Sequence, residues 1–233
     1  MNNRKIDINP QVGKGGKLLS ALLVVAVVVL TITFSIGLPI YVRPFYYVHI
    51  EALDMPYDTD LTVGQSREAY DEVLDYLTLP GKEFSVGVME YSESGRDHFV
   101  DCKALFDLNA TVLLLSAATV IAILLLKKRG KVELCTLNSY HPIFYSGLLA
   151  ILIPAILGML ISVDFDRAFV VFHKIFFPGK DNWTFDPRYD EIIMVLPEEF
   201  FRNCAILIGV GILTLGSVAM IYAVVKRRRK INK

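Results

Sequence analysis

Two of the four histidines in this 233-residue chain occupy equivalent places beside long apolar segments. His98 lies ten residues before the second such segment, and His173 lies ten residues after the third. Two neutral imidazoles at one depth of a membrane can act as a general base and a general acid. An interfacial histidine is also a common surface residue of an amphipathic segment, so spacing alone leaves both interpretations open. We expect His49 to be a packed or exposed strand residue and His141 to be a loop residue.

The neighbours of His98 admit a second kind of chemistry. On a helix, Asp101 is its i+3 neighbour and Cys102 shares its face. These side chains, together with His173, could bind a metal ion, although the ligand set is mixed and no CxxC pair is present. The chain contains no G-x-S-x-G, HExxH or Walker A motif. We therefore expect no metal and no cofactor, and the spacing leaves open whether Cys102 and Cys204 are bridged.

Four stretches without any Asp, Glu, Lys or Arg must position these side chains. They contain between 19 and 25 residues and occupy 18–42, 108–126, 142–163 and 204–225. Each is long enough to cross a hydrocarbon core of about 30 Å as a helix. With 54% hydrophobic residues, the composition is too apolar for an ordinary soluble domain. The sequence therefore predicts four transmembrane helices.

The distribution of charge predicts the orientation of these helices. Segments 1–17, 127–141 and 226–233 together contain 14 basic and two acidic residues. Loops 43–107 and 164–203 contain 10 basic and 22 acidic residues. By the positive-inside rule, both termini and the middle loop are cytoplasmic, and the two larger loops lie outside. The formal net charge is zero, which gives no reason to expect nucleic acid as a partner.

The two outside loops are rich in aromatic residues, with 20 of the 26 in the chain. The segments Tyr46–Leu53 and Phe84–Tyr91 have the composition of short strands. Between them, Thr62–Gln65 matches a capping box, and a helix with one apolar face follows until Leu79–Gly81. That face consists of Ala69, Tyr70, Val73, Leu74 and Leu77. The predicted fold class is a membrane all-α four-helix transmembrane bundle with a small α/β extracellular cap.

The second outside loop begins with four phenylalanines at helical spacing. They follow one another at intervals of four, three and four residues, at Phe165, Phe169, Phe172 and Phe176. Such a stripe is typical of an amphipathic helix that lies in the membrane interface. His173 lies i+4 from Phe169 and borders the stripe.

Four stretches of the outside loops resemble a known family. They are Asp97–Lys103, Phe172–Pro178, Asn182–Asp186 and Leu196–Phe201. Within this four-span layout they are similar to the bacterial lipoprotein intramolecular transacylases, and the resemblance covers most of the chain. The sequence departs from the family at Cys102, where valine is expected; we expect this change to affect packing and not chemistry.

The resemblance implies an acyltransferase on the outer face of the bacterial cytoplasmic membrane. Its substrate is a diacylated lipoprotein, and the sn-2 acyl chain moves to the α-amino group of the N-terminal cysteine, which gives a lyso-form lipoprotein. The catalytic residues of the family correspond to His98 and His173. Membrane lipid is the other expected partner.

Around that pair, further side chains are expected to support the reaction. Asp97 or Asp101 would orient His98, and Asn182, Trp183 or backbone N–H groups would hold the developing oxyanion. The expected pocket wall consists of Phe99, Phe169, Phe172 and Phe176.

Two alternatives remain from the residues themselves. The first is a metal-dependent membrane hydrolase that uses His98, His173 and acidic ligands. The second is a non-enzymatic membrane scaffold whose aromatic cap binds a partner.

Overall fold

The computed structural model describes residues 13–55, 61–161 and 164–232, and most of these residues are helical. Seven α-helices follow one another: α1 (Lys14–Tyr41), α2 (Pro44–Ala52), α3 (Val63–Thr78), α4 (Glu93–Lys128), α5 (Pro142–Ile161), α6 (Phe165–Phe176) and α7 (Glu198–Ile231). A short 3-10 helix, Glu191–Val195, precedes α7. These described ranges contain no β-strand, and one isolated bridge joins Leu137 to Tyr140.

Three of the described helices, α1, α4 and α7, contain stretches long and apolar enough to cross a membrane. By the same criteria α5 holds a shorter apolar helix, Pro142–Ile156. All four apolar segments of the sequence thus coincide with helices. Most of the predicted N-terminal tail, the last two residues of segment 142–163 and the final residue of the chain lie outside the described residues.

The described residues form two compact units, of which the first comprises 13–35, 111–157 and 209–232. Its small buried cluster brings Leu23 of α1 against Ile123 of α4 and Leu134. Two glycines allow α5 and α7 to approach closely. A Cβ atom on Gly147 would lie 2.4 Å from the carbonyl oxygen of Gly216, which leaves no room for a side chain.

The second unit comprises the described residues of 36–55, 61–110, 158–161 and 164–208 and contains the larger core. Helix α3 contributes the predicted face, since Ala69, Tyr70, Val73, Leu74 and Leu77 are all buried. The predicted capping box at its start is confirmed. Thr62 Oγ1 accepts from Gln65 N at 3.3 Å, and Gln65 Oε1 accepts from Thr62 N at 2.9 Å.

The strand predicted at Tyr46–Leu53 is wrong, because this segment lies in helix α2. Pro44 is the first residue of α2, and its fixed φ favours the start of a helix. The buried residues are Tyr46 and Ile50, four apart, whereas Val48 is 63% exposed. The apolar pattern therefore follows the period of a helix, and the alternation expected of a strand is absent. The hydroxyl of Tyr46 donates to the carbonyl oxygen of Val195 at 2.8 Å.

The strand predicted at Phe84–Tyr91 is also wrong, because this segment is irregular and contains a turn at residues 87–88. Gly87 has a φ of +66°, which interrupts an extended chain. Its N–H donates to Glu72 Oε2 of α3 at 2.7 Å, so a side chain takes the place of a neighbouring strand. The predicted α/β cap therefore has no β component in the described residues.

Local contacts fix the starts of the two helices that contain His98 and His173. At the start of α4, Asp190 Oδ1 accepts from Ser92 N at 2.8 Å. Only a glycine fits beside that carboxylate, since a Cβ atom on Gly95 would lie 2.0 Å from it. At the start of α6, Asp164 Oδ1 accepts from Arg167 N at 2.9 Å and caps the helix.

Candidate active site

His98 and His173 line one cavity of the second unit, with a volume of about 350 Å³. His98 is on α4 and is 5% exposed, and His173 is on α6 and is 6% exposed. Their ring centroids are 5.8 Å apart. The two histidines selected from the sequence thus lie close enough for one small substrate group to contact both.

The wall of this cavity is almost entirely apolar and strongly aromatic. Three of the four phenylalanines expected there line it, namely Phe99, Phe169 and Phe172. Phe176 lies outside the lining, is 48% exposed, and packs against Phe172 with ring centroids 4.6 Å apart. The aromatic residues that complete the wall are Tyr70, Phe106, Phe177, Trp183, Phe185, Phe200 and Phe201.

The ring of His98 is enclosed by aromatic edges. Phe177 and Phe185 meet it in edge-to-face contacts, with centroids at 4.9 and 5.4 Å. Burial lowers the pKa of His98 from 6.5 to about 4, the nearby His173 adds to this shift, and Asp101 opposes it. His98 is therefore a neutral imidazole at neutral pH.

The two ring nitrogens of His98 have different surroundings. Its Nε2 lies 3.3 Å from the Sγ atom of Cys102, one helical turn further along α4. Its Nδ1 is buried and has no hydrogen-bond partner within the described part of the chain. The nitrogen left for a substrate is therefore Nδ1.

His173 has the opposite arrangement. Its Nδ1 lies 2.8 Å from the carbonyl oxygen of Phe169, which can only accept, so the proton is on Nδ1 and the lone pair is on Nε2. The ring stacks on Trp183, with centroids 4.7 Å apart, and packs against Phe169 at 4.2 Å. Burial lowers the pKa of His173, and the hydrogen bond to Phe169 opposes this effect.

The supporting residues expected beside His98 have other partners. Asp101 accepts from Lys180 Nζ at 2.5 Å and from Asn182 Nδ2 at 3.1 Å. Burial raises the pKa of this carboxyl group, but the bonds from Lys180 and Asn182 outweigh burial and lower it overall. Asp97 is exposed, and its nearest ionic partner is Arg96 at 3.6 Å. Asp101 therefore fastens the loop after α6 to α4.

Asn182 has one polar atom that the described structure leaves without a partner. Because a carboxylate only accepts, the bond to Asp101 fixes the amide with Nδ2 toward that group. Its Oδ1 is buried and unpaired within the described residues. Trp183 Nε1 donates to the carbonyl oxygen of Lys180 at 3.0 Å, which holds the indole against His173.

The cysteines and acidic residues give little support to a metal site. Cys102, Cys135 and Cys204 are free thiols. In ranges 13–55, 61–161 and 164–232, no three His, Cys, Asp or Glu side chains are grouped so as to hold a metal ion. The donor set expected for a metal-dependent hydrolase is therefore not assembled in these ranges.

Sequence reasoning missed several residues of the site. Phe177 lies i+4 from His173, so helical spacing could have indicated it. Phe185 lies in the stretch Asn182–Asp186, which resembles the family, but no periodicity in the sequence places it on His98. The contact of Cys102 with Nε2 follows from its i+4 position, although we expected that residue to matter only for packing. Nothing in the sequence indicates that Lys180 reaches Asp101.

Known proteins that are similar to this chain point to one family. The family model of the lipoprotein intramolecular transacylase Lit matches residues 21–201. A solved structure of the membrane-integral lipoprotein intramolecular transacylase Lit from Bacillus cereus is 27% identical, with a TM-score of 0.81 over 91% of this chain and 97% of that chain. A form of the same enzyme with one histidine replaced by arginine is 26% identical, with a TM-score of 0.76 over 91% and 93% of the two chains. None of the curated proteins matches the chain.

The matched residues include both cavity histidines and most of the second unit. The family model covers well over half of the chain. The chain therefore belongs to the lipoprotein intramolecular transacylase (Lit) family, and it is a membrane-integral acyltransferase that acts on lipoprotein.

Proposed function

We propose that the enzyme moves the sn-2 acyl chain of a diacylglyceryl lipoprotein to the α-amino group of its N-terminal cysteine. The product is a lyso-form lipoprotein, with one chain on nitrogen and one on glycerol. The observation that carries this proposal is the pair of buried histidines, whose ring centroids are 5.8 Å apart in one apolar cavity. Each has one ring nitrogen left for the substrate.

Orientation supplies much of the rate. The reacting ring contains eight atoms, from the amine through the cysteine Cα, Cβ and sulfur and two glyceryl carbons to the ester oxygen and carbonyl carbon. Such a ring closes rarely in a free substrate, so a wall that holds the headgroup folded removes a large entropic cost. The aromatic residues around His98 and His173 form that wall, and they also exclude the water that would hydrolyse the ester.

His173 is the group suited to accept a proton from the amine. An α-amino group has a pKa of roughly 8 and must be neutral to attack. The bond from Nδ1 to Phe169 leaves the Nε2 lone pair free, and the lowered pKa keeps the ring neutral beforehand. When nitrogen bonds to the ester carbon, His173 takes up the proton that the nitrogen must lose.

His98 is suited to serve the oxygen side of the reaction. His98 lines the same cavity and its Nδ1 has no partner in the described residues, so a neutral ring with a proton on Nδ1 is suited to donate to the departing glyceryl oxygen. The C–O ester bond breaks, this oxygen gains one proton, and the amine has lost one. The proton that His173 took from the amine then replaces the one that His98 gave up at Nδ1, so both rings end neutral and no serine or cysteine acyl-enzyme forms.

The membrane arrangement follows the charge pattern of the sequence. Both termini and the loop 127–141 are cytoplasmic, and four spans at 18–42, 108–126, 142–163 and 204–225 carry the two outer loops. The histidines then lie at the outer face of the cytoplasmic membrane. The acyl chains remain in the surrounding lipid, and only the headgroup region needs to reach the cavity.

Replacement of either histidine tests the proposal. We expect His98→Ala and His173→Ala each to lower formation of lyso-form lipoprotein by at least about 100-fold, the scale of a lost general acid or base. The measurement is mass spectrometry of the N-terminal peptide of a lipoprotein from cells that produce each variant. Amounts of each variant in the membrane are compared in parallel.

His49→Ala is the matched control, because His49 packs on Phe45 and Phe200 of the same unit but does not line the cavity. It should retain transfer at a comparable amount of folded protein. If both cavity variants still transfer the chain, the assignment of the pair is incorrect. A product acylated on nitrogen that has lost its sn-1 chain instead would refute the position of the ester.

A further inference from the structure

The proposed reaction does not use Nε2 of His98. The polar side chain nearest to this nitrogen is Cys102. Its Sγ lies 3.3 Å from Nε2, within the range of a sulfur hydrogen bond. His98 is more than nine-tenths buried, and its other nitrogen has no partner in the described part of the chain. The contact with Cys102 is therefore able to decide which ring nitrogen carries the proton.

Two pairings of these atoms can be compared. In one, the thiol donates to the lone pair of Nε2, and the proton of the ring is on Nδ1. In the other, Nε2–H donates to sulfur, and Nδ1 keeps only a lone pair. A cysteine S–H is a weak donor and its sulfur a weak acceptor, so each pairing contains one weak group. We take the first pairing, because only it leaves a proton on Nδ1 for the glyceryl oxygen.

The protonation states are consistent with the first pairing. Burial raises the pKa of Cys102 to about 12, and the nearby Asp101 adds to this effect, so the thiol keeps its proton. His98 is neutral, with one N–H and one lone pair. The charged or titratable groups that face it are Asp101 and Cys102 on its own helix, His173 on α6, and Lys180 in the following loop.

We propose that the Cys102 thiol donates a hydrogen bond to Nε2 of His98 and so holds the ring as the Nδ1–H tautomer. Cys102 is thus a positioning residue, which acts through His98 and does not touch the substrate. The inference rests on the proposed function, since it explains how Nδ1–H is available to the glyceryl oxygen. It replaces our expectation that a cysteine at this position affects packing alone.

The direct test reads the tautomer without turnover. The full-length protein is labelled with 15N-histidine, and the ring nitrogen shifts of His98 are measured in detergent, with His98→Gln used to assign them. We expect a protonated Nδ1 and a bare Nε2 in the starting protein. Cys102→Ser, which keeps a donor, should give the same pattern. Cys102→Val, which removes the donor, should give a mixture or the Nε2–H form.

Kinetics supply a second measurement. We expect Cys102→Val to lower kcat by roughly three- to tenfold, the scale of one lost hydrogen bond, with little change in KM. Cys102→Ser should restore most of kcat. Loss of kcat in both variants, without any change of tautomer, would identify a packing role and overturn the inference.

The two proposals fail separately. A protonated Nε2 in the starting protein, or an unchanged tautomer in Cys102→Val, overturns the role of Cys102 whatever His98→Gln does to activity. Full activity of His98→Gln overturns the acid–base pair, although the tautomer measured in the starting protein stands. If Cys102→Val does not fold, Cys102→Ala is measured in its place.

Discussion

The site is defined by two histidines that are buried as neutral rings. This burial makes the folded protein less stable at acidic pH. In an unfolded chain His98 takes up a proton near its ordinary pKa of 6.5, whereas in the folded protein it does so only near 4. Between these values the unfolded state binds more protons than the folded state. Stability is therefore highest above the unfolded pKa and falls as the pH is lowered toward the folded one.

A variant without this group should be less sensitive to acid. We expect the free energy of unfolding of the starting protein to fall by roughly 1–3 kcal/mol more than that of His98→Gln between pH 6.5 and pH 4. Thermal unfolding in detergent over this range measures the difference. His141, whose pKa burial and Lys127 also lower to about 4, titrates equally in both proteins and cancels.

His49→Gln provides the reference for removal of a histidine from the same unit. Its curve shows what removal of an imidazole does to the fold apart from the burial of His98. Parallel curves for His98→Gln and the starting protein would mean that His98 is already solvated, which would also remove the reason for a dry acid–base pair.

At the scale of single residues, the sequence indicated which residues could carry the chemistry, but it did not indicate how their side chains are oriented. His98 and His173 stand out by type and by distance from the apolar segments. The orientation of their rings does not, because it depends on Cys102 and Phe169, whose i+4 contacts compete with many other possible contacts on the same helices. Asp101, which we expected to orient His98, accepts hydrogen bonds from Lys180 and Asn182, and these two residues come from another element.

At the scale of elements, length and capping were better guides than composition. Helix α3 was predicted from its capping box and apolar face, both local features. The aromatic and β-branched residues around Tyr46 resemble a strand, but Pro44 and the buried pair Tyr46 and Ile50 make a helix. Strand pairing requires a partner, and here neither predicted strand has one, so β-propensity is overridden by packing.

The link between α4 and the loop after α6 is a second element-scale feature. Lys180 and Asn182 bind Asp101, and the same loop presents Trp183 to His173. Since Lys180 is 50% exposed, the ion pair contributes less than about 1 kcal/mol to stability. We expect its main effect to be on the placement of the indole against the ring of His173.

Lys180→Ala should therefore impair catalysis more than stability. We expect kcat to fall roughly tenfold through misplacement of the His173 ring, while the free energy of unfolding changes by less than about 1 kcal/mol. Steady-state kinetics and thermal unfolding of the same preparation measure both. Lys82→Ala is the matched control, because Lys82 is 54% exposed and pairs with Asp75 at 3.9 Å away from the cavity. Equal loss of kcat in the two variants would contradict a placement role.

At the scale of the whole molecule, the positions of the charged residues and the lengths of the apolar segments predict most of the architecture. Segments free of ionisable residues predicted where long apolar helices occur, because a membrane tolerates few charges in its core. Helices α1, α4 and α7 satisfy this expectation in full, and in α5 the apolar stretch among the described residues is Pro142–Ile156. The same pattern contains no information on side-chain geometry, so the cavity itself was inferred only as an excess of aromatic residues.

The orientation in the membrane provides the last prediction. A cysteine introduced at Gly64 should react with a membrane-impermeant thiol reagent in intact cells, because loop 43–107 is acidic and is expected to lie outside. One at Glu133 should react only after the membrane is opened, because loop 127–141 is basic. Both positions are exposed, and Gly64 has no atom nearer than 3.8 Å to an added Cβ.

The labelling of the starting protein, whose three native thiols are partly buried, is subtracted from each variant. A reporter fused after Lys233 should be active in the cytoplasm, in agreement with the Glu133 variant. The reverse pattern would place His98 and His173 on the inner leaflet. A diacylated lipoprotein anchored in the outer leaflet could not then present its amine to them, and the proposed reaction would lose its substrate even with the cavity intact.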